Sequence, residues 1–283
     1  MNTQTAKRHQ YRSPPVVEVV LGAQFKPIKT LGIPQLGMLW SQLRDRFPKY
    51  EQHPPLSHTV ERRGVRAQHP NFEMQLISAG ALAPRLWMLN DKGSELLQVQ
   101  EDRFIRNWRR YDDRVAVYPR YVEHLRPEFE KDLAEFAKFL VSEHHGEPEY
   151  DQAEVTYINH IEMHDVWSTH ADIGRVLRGV EPNLSAVSGL IAETTGLRSR
   201  LELRDNAGEF AGRLHISFDA GLLPGEETSP RPIFVLQLLA RGRPLGPGSK
   251  GLFEFLDLGH DAIVSTFDKI TTDAMQKAWG KVS

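Results

Sequence analysis

The segment at residues 160–164 carries the side chains best suited to metal chemistry. In an extended strand alternate side chains share a face, so His160, Glu162 and His164 would follow one another at intervals of about 6.6 Å. Two imidazoles and a carboxylate suit zinc or a non-haem metal, and His170 could add a ligand from the following loop. A straight strand would hold the two outer histidines about 13 Å apart, so one ion could bind both only if the strand bends or ends. The alternative is a solvated strand face leading into a loop.

A second candidate is the basic and aromatic stretch Leu96–Arg110, LLQVQEDRFIRNWRR. Cations that grip phosphates and aromatic rings that stack on bases are what single-stranded RNA or DNA binding requires. Interleaved aspartates would cancel part of the positive field, and the alternative is an ion-paired strand with its aromatic rings in the core. The candidate binding residues are Arg103, Arg106, Trp108, Arg109 and Arg110.

Other patterns do not reach the specificity of a catalytic motif. The Gly-rich loop Gly242–Gly251 lacks the spacing of a phosphate-binding P-loop, and its two prolines remove amide donors. No G-x-S-x-G nucleophile elbow occurs, and His215 and His260 have no partner visible in the sequence. The sequence therefore predicts no catalytic residues and no cofactor, and favours a protein that is not an enzyme.

Composition limits the class of protein. The chain has 283 residues, 35 Lys and Arg against 37 Asp and Glu, a net charge of −2 and no cysteine. This charge gives no global attraction to nucleic acid or anionic membranes, and the lack of cysteine excludes disulfides and thiolate ligands. The polar N-terminus has no apolar signal region, and the longest apolar stretches, such as Ile233–Ala240, are far too short to span a bilayer. We expect a soluble cytoplasmic protein without membrane contact.

Apolar periodicity predicts strands and helices in alternation. In the first half we expect a strand at Val16–Phe25, a helix after Pro34, strands at Arg85–Leu89 and Leu96–Arg110 around an Asn-Asp-Lys-Gly turn, and a helix from Pro127. In the second half we expect strands at Ala153–Met163, Leu197–Arg204, Glu209–Phe218 and Ile233–Arg241, an Asp-Asn-Ala-Gly turn and closing helices. Residues 67–83 and 184–196 give no clear pattern.

The two halves have the same predicted organisation. We interpret the chain as α+β, with two tandem β-α-β-β-β-α units of antiparallel strands and helices on one face, joined as a saddle or around a cleft. The predicted units are a disordered tail at residues 1–13, an N-terminal unit at 14–147 and a C-terminal unit at 148–283. Neither the arrangement of the halves nor the oligomeric state follows from the sequence.

Several segments resemble one known family. VVEVVLGAQF, LWSQLRDRFP, LLQVQEDRFIRNWRR, EVTYINHI, DIGRVLRG and HDAIVSTFDKITTDAMQKAWG are similar to sporadically distributed, uncharacterised prokaryotic proteins of about this length, known by a numbered family model. The resemblance covers about residues 14–280. It transfers no catalytic residues. A patchy distribution implies an accessory role, such as a component of a toxin–antitoxin or phage-defence system.

We therefore predict a non-enzymatic binding or interaction module, with a protein partner that is encoded nearby. The first alternative is a protein or nuclease that binds single-stranded nucleic acid through the strand at residues 103–110. The second alternative is a metal-dependent enzyme that uses His160, Glu162 and His164.

Overall fold

The computed structural model describes residues 10–64, 84–110, 117–180, 189–223 and 230–282. The strands are β1 (Gln10–Tyr11), β2 (Val16–Phe25), β3 (Lys49–His53), β4 (Arg85–Leu89), β5 (Glu95–Gln100), β6 (Arg103–Arg109), β7 (Tyr150–Glu162), β8 (Leu197–Arg204), β9 (Phe210–Leu223), β10 (Arg231–Gly242) and β11 (Lys281–Val282). The helices are α1 (Ile33–Leu43), α2 (Arg126–Ser142), α3 (Ile173–Val176), α4 (Gly248–Ile270) and α5 (Asp273–Ala278). A π-helical turn, Tyr121–Leu125, precedes α2, and a 3₁₀ turn, His170–Asp172, precedes α3.

Nine strands form one antiparallel sheet in the order β3-β4-β5-β6-β2-β7-β10-β9-β8, and β1 pairs with β11 as a separate ribbon. This confirms the α+β class. At the centre, β2 and β7 pair with each other, so the sheet continues across the predicted boundary at residues 147 and 148. In each half the first strand of the sheet lies beside the last one, β2 beside β6 and β7 beside β10.

Helices cover one face of the sheet because strand alternation collects apolar side chains there. Phe136 of α2 stacks on Phe104 of β6, with ring centroids 4.9 Å apart. On the other half, α4 lies over β7 and β10. The close approach depends on Gly259, since a Cβ there would come within 2.8 Å of a Val155 methyl group and 2.9 Å of the Ala240 Cβ.

The opposite face of the sheet is polar, yet much of it is buried. Gln24, Gln100, Arg103 and Gln152 are each at most 6% exposed. Residues 54–64, which we call the strap, cross this face from β5 to β9 without regular secondary structure. The strap ends where the described part is interrupted, and residues 65–83, which include the segment 67–83 without a clear sequence pattern, lie outside it.

The predicted single strand Leu96–Arg110 is wrong, because this stretch is a hairpin of β5 and β6. The chain turns at Glu101 and Asp102. The Asp102 side chain accepts a hydrogen bond from Gln100 Nε2 at 2.6 Å, and its carbonyl accepts one from Phe25 N at 3.0 Å. Two polar residues are enough for the turn because the buried Asp102 finds partners on both sides.

Other predicted boundaries shift. The predicted loop Gly242–Gly251 is shorter, since α4 already begins at Gly248. Within the predicted tail, Gln10 and Tyr11 pair with Val282 and Lys281, and residues 1–9 lie outside the described part. Of the unclear segment 184–196, residues 189–196 have no helix or strand and the rest is not described. No helix in the described ranges is long and apolar enough to cross a membrane.

Candidate ligand-binding cleft

Two adjoining cavities form a cleft at one end of the sheet, one beside α4 and one around the end of β7. Four chain segments supply most of its lining: the N-terminal arm at residues 10–16, the segment 117–123, the end of β7 and α4 from His260 to Phe267. Single residues of β10, the end of β6 and the region of α5 complete it. The two cavities share Tyr11, Pro14, Tyr118 and Arg120. We call the cavity of about 170 Å³ the apolar chamber and that of about 500 Å³ the cationic chamber.

The N-terminal arm is held in place by the β1–β11 ribbon and by an aromatic contact. Tyr11 meets Phe267 edge to face at 5.7 Å and donates a hydrogen bond to Asp268 at 2.5 Å. Burial, together with this hydrogen bond, raises the pKa of Tyr11 far above its ordinary value. The phenol therefore keeps its proton at neutral pH, and the arm forms a fixed wall of the cleft.

The apolar chamber has a polar floor. The hydroxyl groups of Tyr118 and Tyr157 lie 2.9 Å apart, and the Tyr157 hydroxyl lies 3.0 Å from Nδ1 of His260. Aliphatic and aromatic side chains complete the lining: Val16, Leu238, Ile263, Val264 and Phe267. Burial raises the pKa of Tyr118 to about 12. At neutral pH this phenol can exchange hydrogen bonds with a ligand, but it is not a base.

The π-helical turn positions the second wall. Tyr121 stacks on His260 with ring centroids 3.9 Å apart and an angle of 8° between planes. Its hydroxyl donates to Asp257 at 2.9 Å, and burial followed by the Asp257 charge raises the pKa of Tyr121. Single π turns are frequent at functional sites. Here the turn clamps the imidazole between β7 and the segment before α2.

The cationic chamber collects positive charge. Arg12, Arg110 and Arg120 line it together with His160 and His164. Its acidic lining residue Glu162 is already paired with Arg231 at 3.1 Å, outside the lining. Arg110 donates to the Pro14 carbonyl at 3.1 Å, and among the described residues its buried Nε has no hydrogen-bond partner. The guanidinium groups that line this chamber give it a positive charge that would attract an anion.

The predicted metal residues all lie along the cationic chamber, but they do not form a ligand set. β7 ends at Glu162, and His164 follows in an isolated bridge with Trp167. In the described ranges no three His, Asp or Glu side chains are arranged to hold a metal ion. Burial lowers the pKa of His160, and the Arg110 charge acts in the same direction against the raising effect of Glu162. A metal at His160, Glu162 and His164 thus stays a prediction without geometric support.

The predicted basic strand does not present one binding surface. Arg103, Arg106 and Trp108 are between 4% and 6% exposed. Arg103 is bonded to Gln24 and to the Ser57 carbonyl, and Arg106 is paired with Asp132 and Glu95. Trp108 packs against Tyr118 in the core. Arg109 and Arg110 are half-buried, and of the five residues Arg110 alone lines the cleft.

Sequence reasoning missed the floor of the apolar chamber. In the sequence His260 is a single histidine without a visible partner, and Tyr157 is one residue of the predicted strand Ala153–Met163. The one available signal was alternation, since Tyr157 and Asn159 interrupt the apolar helix-facing side of β7. Comparison with family models, with curated proteins and with solved structures found no match for this chain.

Proposed function

We propose that the protein is a binding module for a small amphipathic anion, held in the cleft with its apolar body in the apolar chamber and its charged group in the cationic chamber. One observation carries the proposal: a cavity lined mainly by aromatic and aliphatic side chains shares part of its lining with a cavity lined by Arg12, Arg110 and Arg120. Ligand sites are typically apolar pockets with a few convergent polar groups.

The size of the apolar chamber limits the ligand body. Its volume, about 170 Å³, is close to that of an engineered protein cavity of about 150 Å³ that accepts benzene. A single aromatic ring or a short branched alkyl group therefore fits. The hydroxyl groups and imidazole of the floor would accept one polar substituent on that ring. Larger bodies such as fused ring systems would not fit.

The charge of the second chamber selects an anion. A carboxylate or phosphate could accept hydrogen bonds from the guanidinium groups of Arg110 and Arg120, which line this chamber. Charge-assisted hydrogen bonds of arginine to such groups are about twice as strong as neutral ones. A neutral ligand of the same shape would leave the arginine donors unpaired.

The test compares 3-phenylpropionate with 3-phenylpropanol by calorimetric titration. We expect the carboxylate to bind roughly ten-fold more tightly than the alcohol, because only the carboxylate forms a hydrogen bond between two charged groups. Arg110→Met and Arg120→Met should each remove most of that preference. Val264→Phe should weaken both compounds, because its ring would enter the apolar chamber.

Arg109→Met is the matched control, since Arg109 is the neighbouring half-buried arginine and does not line the cleft. Equal binding of the two compounds, or equal loss with Arg109→Met, would contradict the proposal. So would a well-folded wild-type protein that binds neither compound. If Arg110→Met disturbs the contact with Pro14, Arg120→Met is the variant to use. Within the described residues the Arg120 side chain makes no hydrogen bond that the substitution would remove.

The relation to the sporadically distributed prokaryotic family, and the accessory role it implies, belong to the same proposal. In such a role, ligand binding would accompany contact with a protein partner. Co-purification with the product of a neighbouring gene would test this contact, and a monomer that recovers no such product would argue against it.

We also propose that the two halves arose by duplication of a β-α-β-β-β-α unit. The support is the shared placement of first and last strands, with helices α2 and α4 closing the two halves. The N-terminal half carries one additional strand, β3, at the sheet edge.

A further inference from the structure

The strap is attached to the polar sheet face through glutamine side chains that bind its backbone. Gln100 accepts from Leu56 N and donates to Leu56 O, both at 2.9 Å. Gln24 does the same at Thr59, accepting at 3.1 Å and donating at 2.9 Å. A third amide, on Gln152, accepts from Glu61 N at 2.9 Å. These two-bond pairs imitate the contacts between neighbouring strands, so the face recognises an extended peptide backbone.

The same face also recognises a carboxylate. Glu61 of the strap lies among Arg213 at 2.5 Å, His215 at 2.8 Å and Arg241 at 3.1 Å. Burial alone would raise the pKa of Glu61. Hydrogen bonds from His215 and Arg213 and the charge of Arg241 outweigh it and lower the pKa to about 2. The three side chains come from β9 and β10 and form a preformed anion site.

The strap is anchored by polar contacts and not by a core. No residue of 54–64 is buried as a whole, although the side chain of Glu61 is only 6% exposed. Beneath it lie amide and guanidinium groups that water can solvate, including Gln24, Gln100 and Arg103. Lifting the strap would therefore exchange hydrogen bonds for water without exposing the apolar core, and segments held in this way open at low free energy.

We propose that the polar face is a docking site for an extended peptide segment of a partner protein that carries a carboxylate side chain, and that the strap occupies this site as an internal substitute. The pairing of amide donors and acceptors selects a polypeptide over a nucleic acid, because a phosphodiester backbone offers no N–H donor. The partner segment would place an acidic side chain in the site of Arg213, His215 and Arg241. This surface is separate from the cleft and does not depend on its function.

The test uses a fluorescein-labelled peptide with the sequence of the strap, PPLSHTVERRG, and a second peptide with glutamine in place of the glutamate. In the wild-type protein the tethered strap competes at a high effective concentration. Glu61→Gln weakens the strap and frees the anion site. We expect the glutamate peptide to bind this variant about ten-fold more tightly than the wild type, and the glutamine peptide to lose about ten-fold.

Glu209→Gln is the matched control, since this exposed carboxylate makes the same charge change away from the strap and should bind like the wild type. The proposal is overturned if folded Glu61→Gln binds neither peptide, binds both equally, or prefers a single-stranded oligonucleotide. A strap-exchanged dimer, seen as doubled mass in solution, would also overturn it by naming a second copy as the occupant.

If Glu61→Gln does not fold, amide hydrogen exchange of the wild-type protein tests the proposal instead. Amide hydrogen exchange at Leu56, Thr59 and Glu61 should be much faster than in β2, and excess glutamate peptide should accelerate it further. Strap amides as protected as those of β2, with no response to the peptide, would show that the strap is not displaceable.

Discussion

Replacing Arg106 should destabilise the fold and leave nucleic-acid binding unchanged. Its guanidinium is 4% exposed and contacts the fully buried carboxylate of Asp132 on α2 and Glu95 at 2.9 Å on β5. Removing one partner of a buried ion pair typically costs about 3–5 kcal/mol. Because Arg46 still pairs with Asp132 at 2.6 Å, we expect Arg106→Met to cost about 3 kcal/mol, at the lower end of that range.

The assay is urea unfolding followed by circular dichroism, with Arg109→Met as the matched control on the same strand. Arg109 is half-buried and donates one long hydrogen bond, 3.3 Å, to the Gly93 carbonyl, so its loss should cost under about 1 kcal/mol. The double variant Arg106→Met with Asp132→Leu should recover part of the stability, because the fully buried carboxylate that lost one of its two arginines is removed, while Arg46 keeps Glu135 at 2.5 Å.

Unfolding of Arg106→Met at the same urea concentration as Arg109→Met would refute the assignment of Arg106 to a stabilising buried ion pair. A loss of oligonucleotide binding without a loss of stability would instead support the interpretation of residues 103–110 as a nucleic-acid surface. The two interpretations thus predict opposite results from the same pair of variants. If both variants have weak effects on both measurements, the ion pairs around Asp132 contribute little to the free energy of unfolding.

Three further predictions concern stability and titration. Gly37→Ala should raise the free energy of unfolding by about 0.5–1 kcal/mol, since the added methyl group in α1 meets nothing within 4 Å. Gly259→Ala should lower it by about 1–3 kcal/mol, since α4 must move off the sheet. Thermal melting of the two variants should show shifts of opposite sign. Glu61 has a pKa of about 2 against an ordinary 4.5, so its stabilising effect is present above pH 4.5 and is lost as the pH falls towards 2. The stability difference between wild type and Glu61→Gln should narrow over that window, and a constant difference would contradict the assignment. Tyr118 should ionise near pH 12 in an ultraviolet titration with Tyr118→Phe as reference, and a normal value near 10 would show that the apolar chamber is open to water.

Sequence patterns predicted strand boundaries correctly where the signals for a strand lie within a single hairpin. Arg85–Leu89 and Leu197–Arg204 were predicted with the boundaries the structure has. Each combines apolar alternation with a glycine-containing turn at one end, and both signals depend only on near neighbours in the chain. In contrast, the turn inside Leu96–Arg110 has no glycine or proline, so alternation continued through it without a visible break.

The candidate cleft could not be predicted because its lining comes from segments that lie far apart in the chain. The floor joins Tyr118, Tyr157 and His260, whose hydrogen bonds span 39 and 103 residues of sequence. A lone histidine in an apolar helix gives no sign of its partners. Sequence placed His160 and Glu162 on one face of a strand, and both do line the cleft. The arginines that surround them, Arg12 and Arg120, had no pattern to mark them.

The buried glutamines of the polar face show how a sheet surface that is covered by another chain segment can be recognised. Gln24, Gln100 and Gln152 occupy strand positions that alternation assigns to solvent, yet each is at most 5% exposed. A buried primary amide must find both donors and acceptors. Side chains of neighbouring strands supply some of them, such as Arg103 and Asp151 for Gln24, and a backbone that approaches from above supplies the rest. In this protein the strap supplies that backbone, and any extended peptide with a suitably placed carboxylate meets the same requirement.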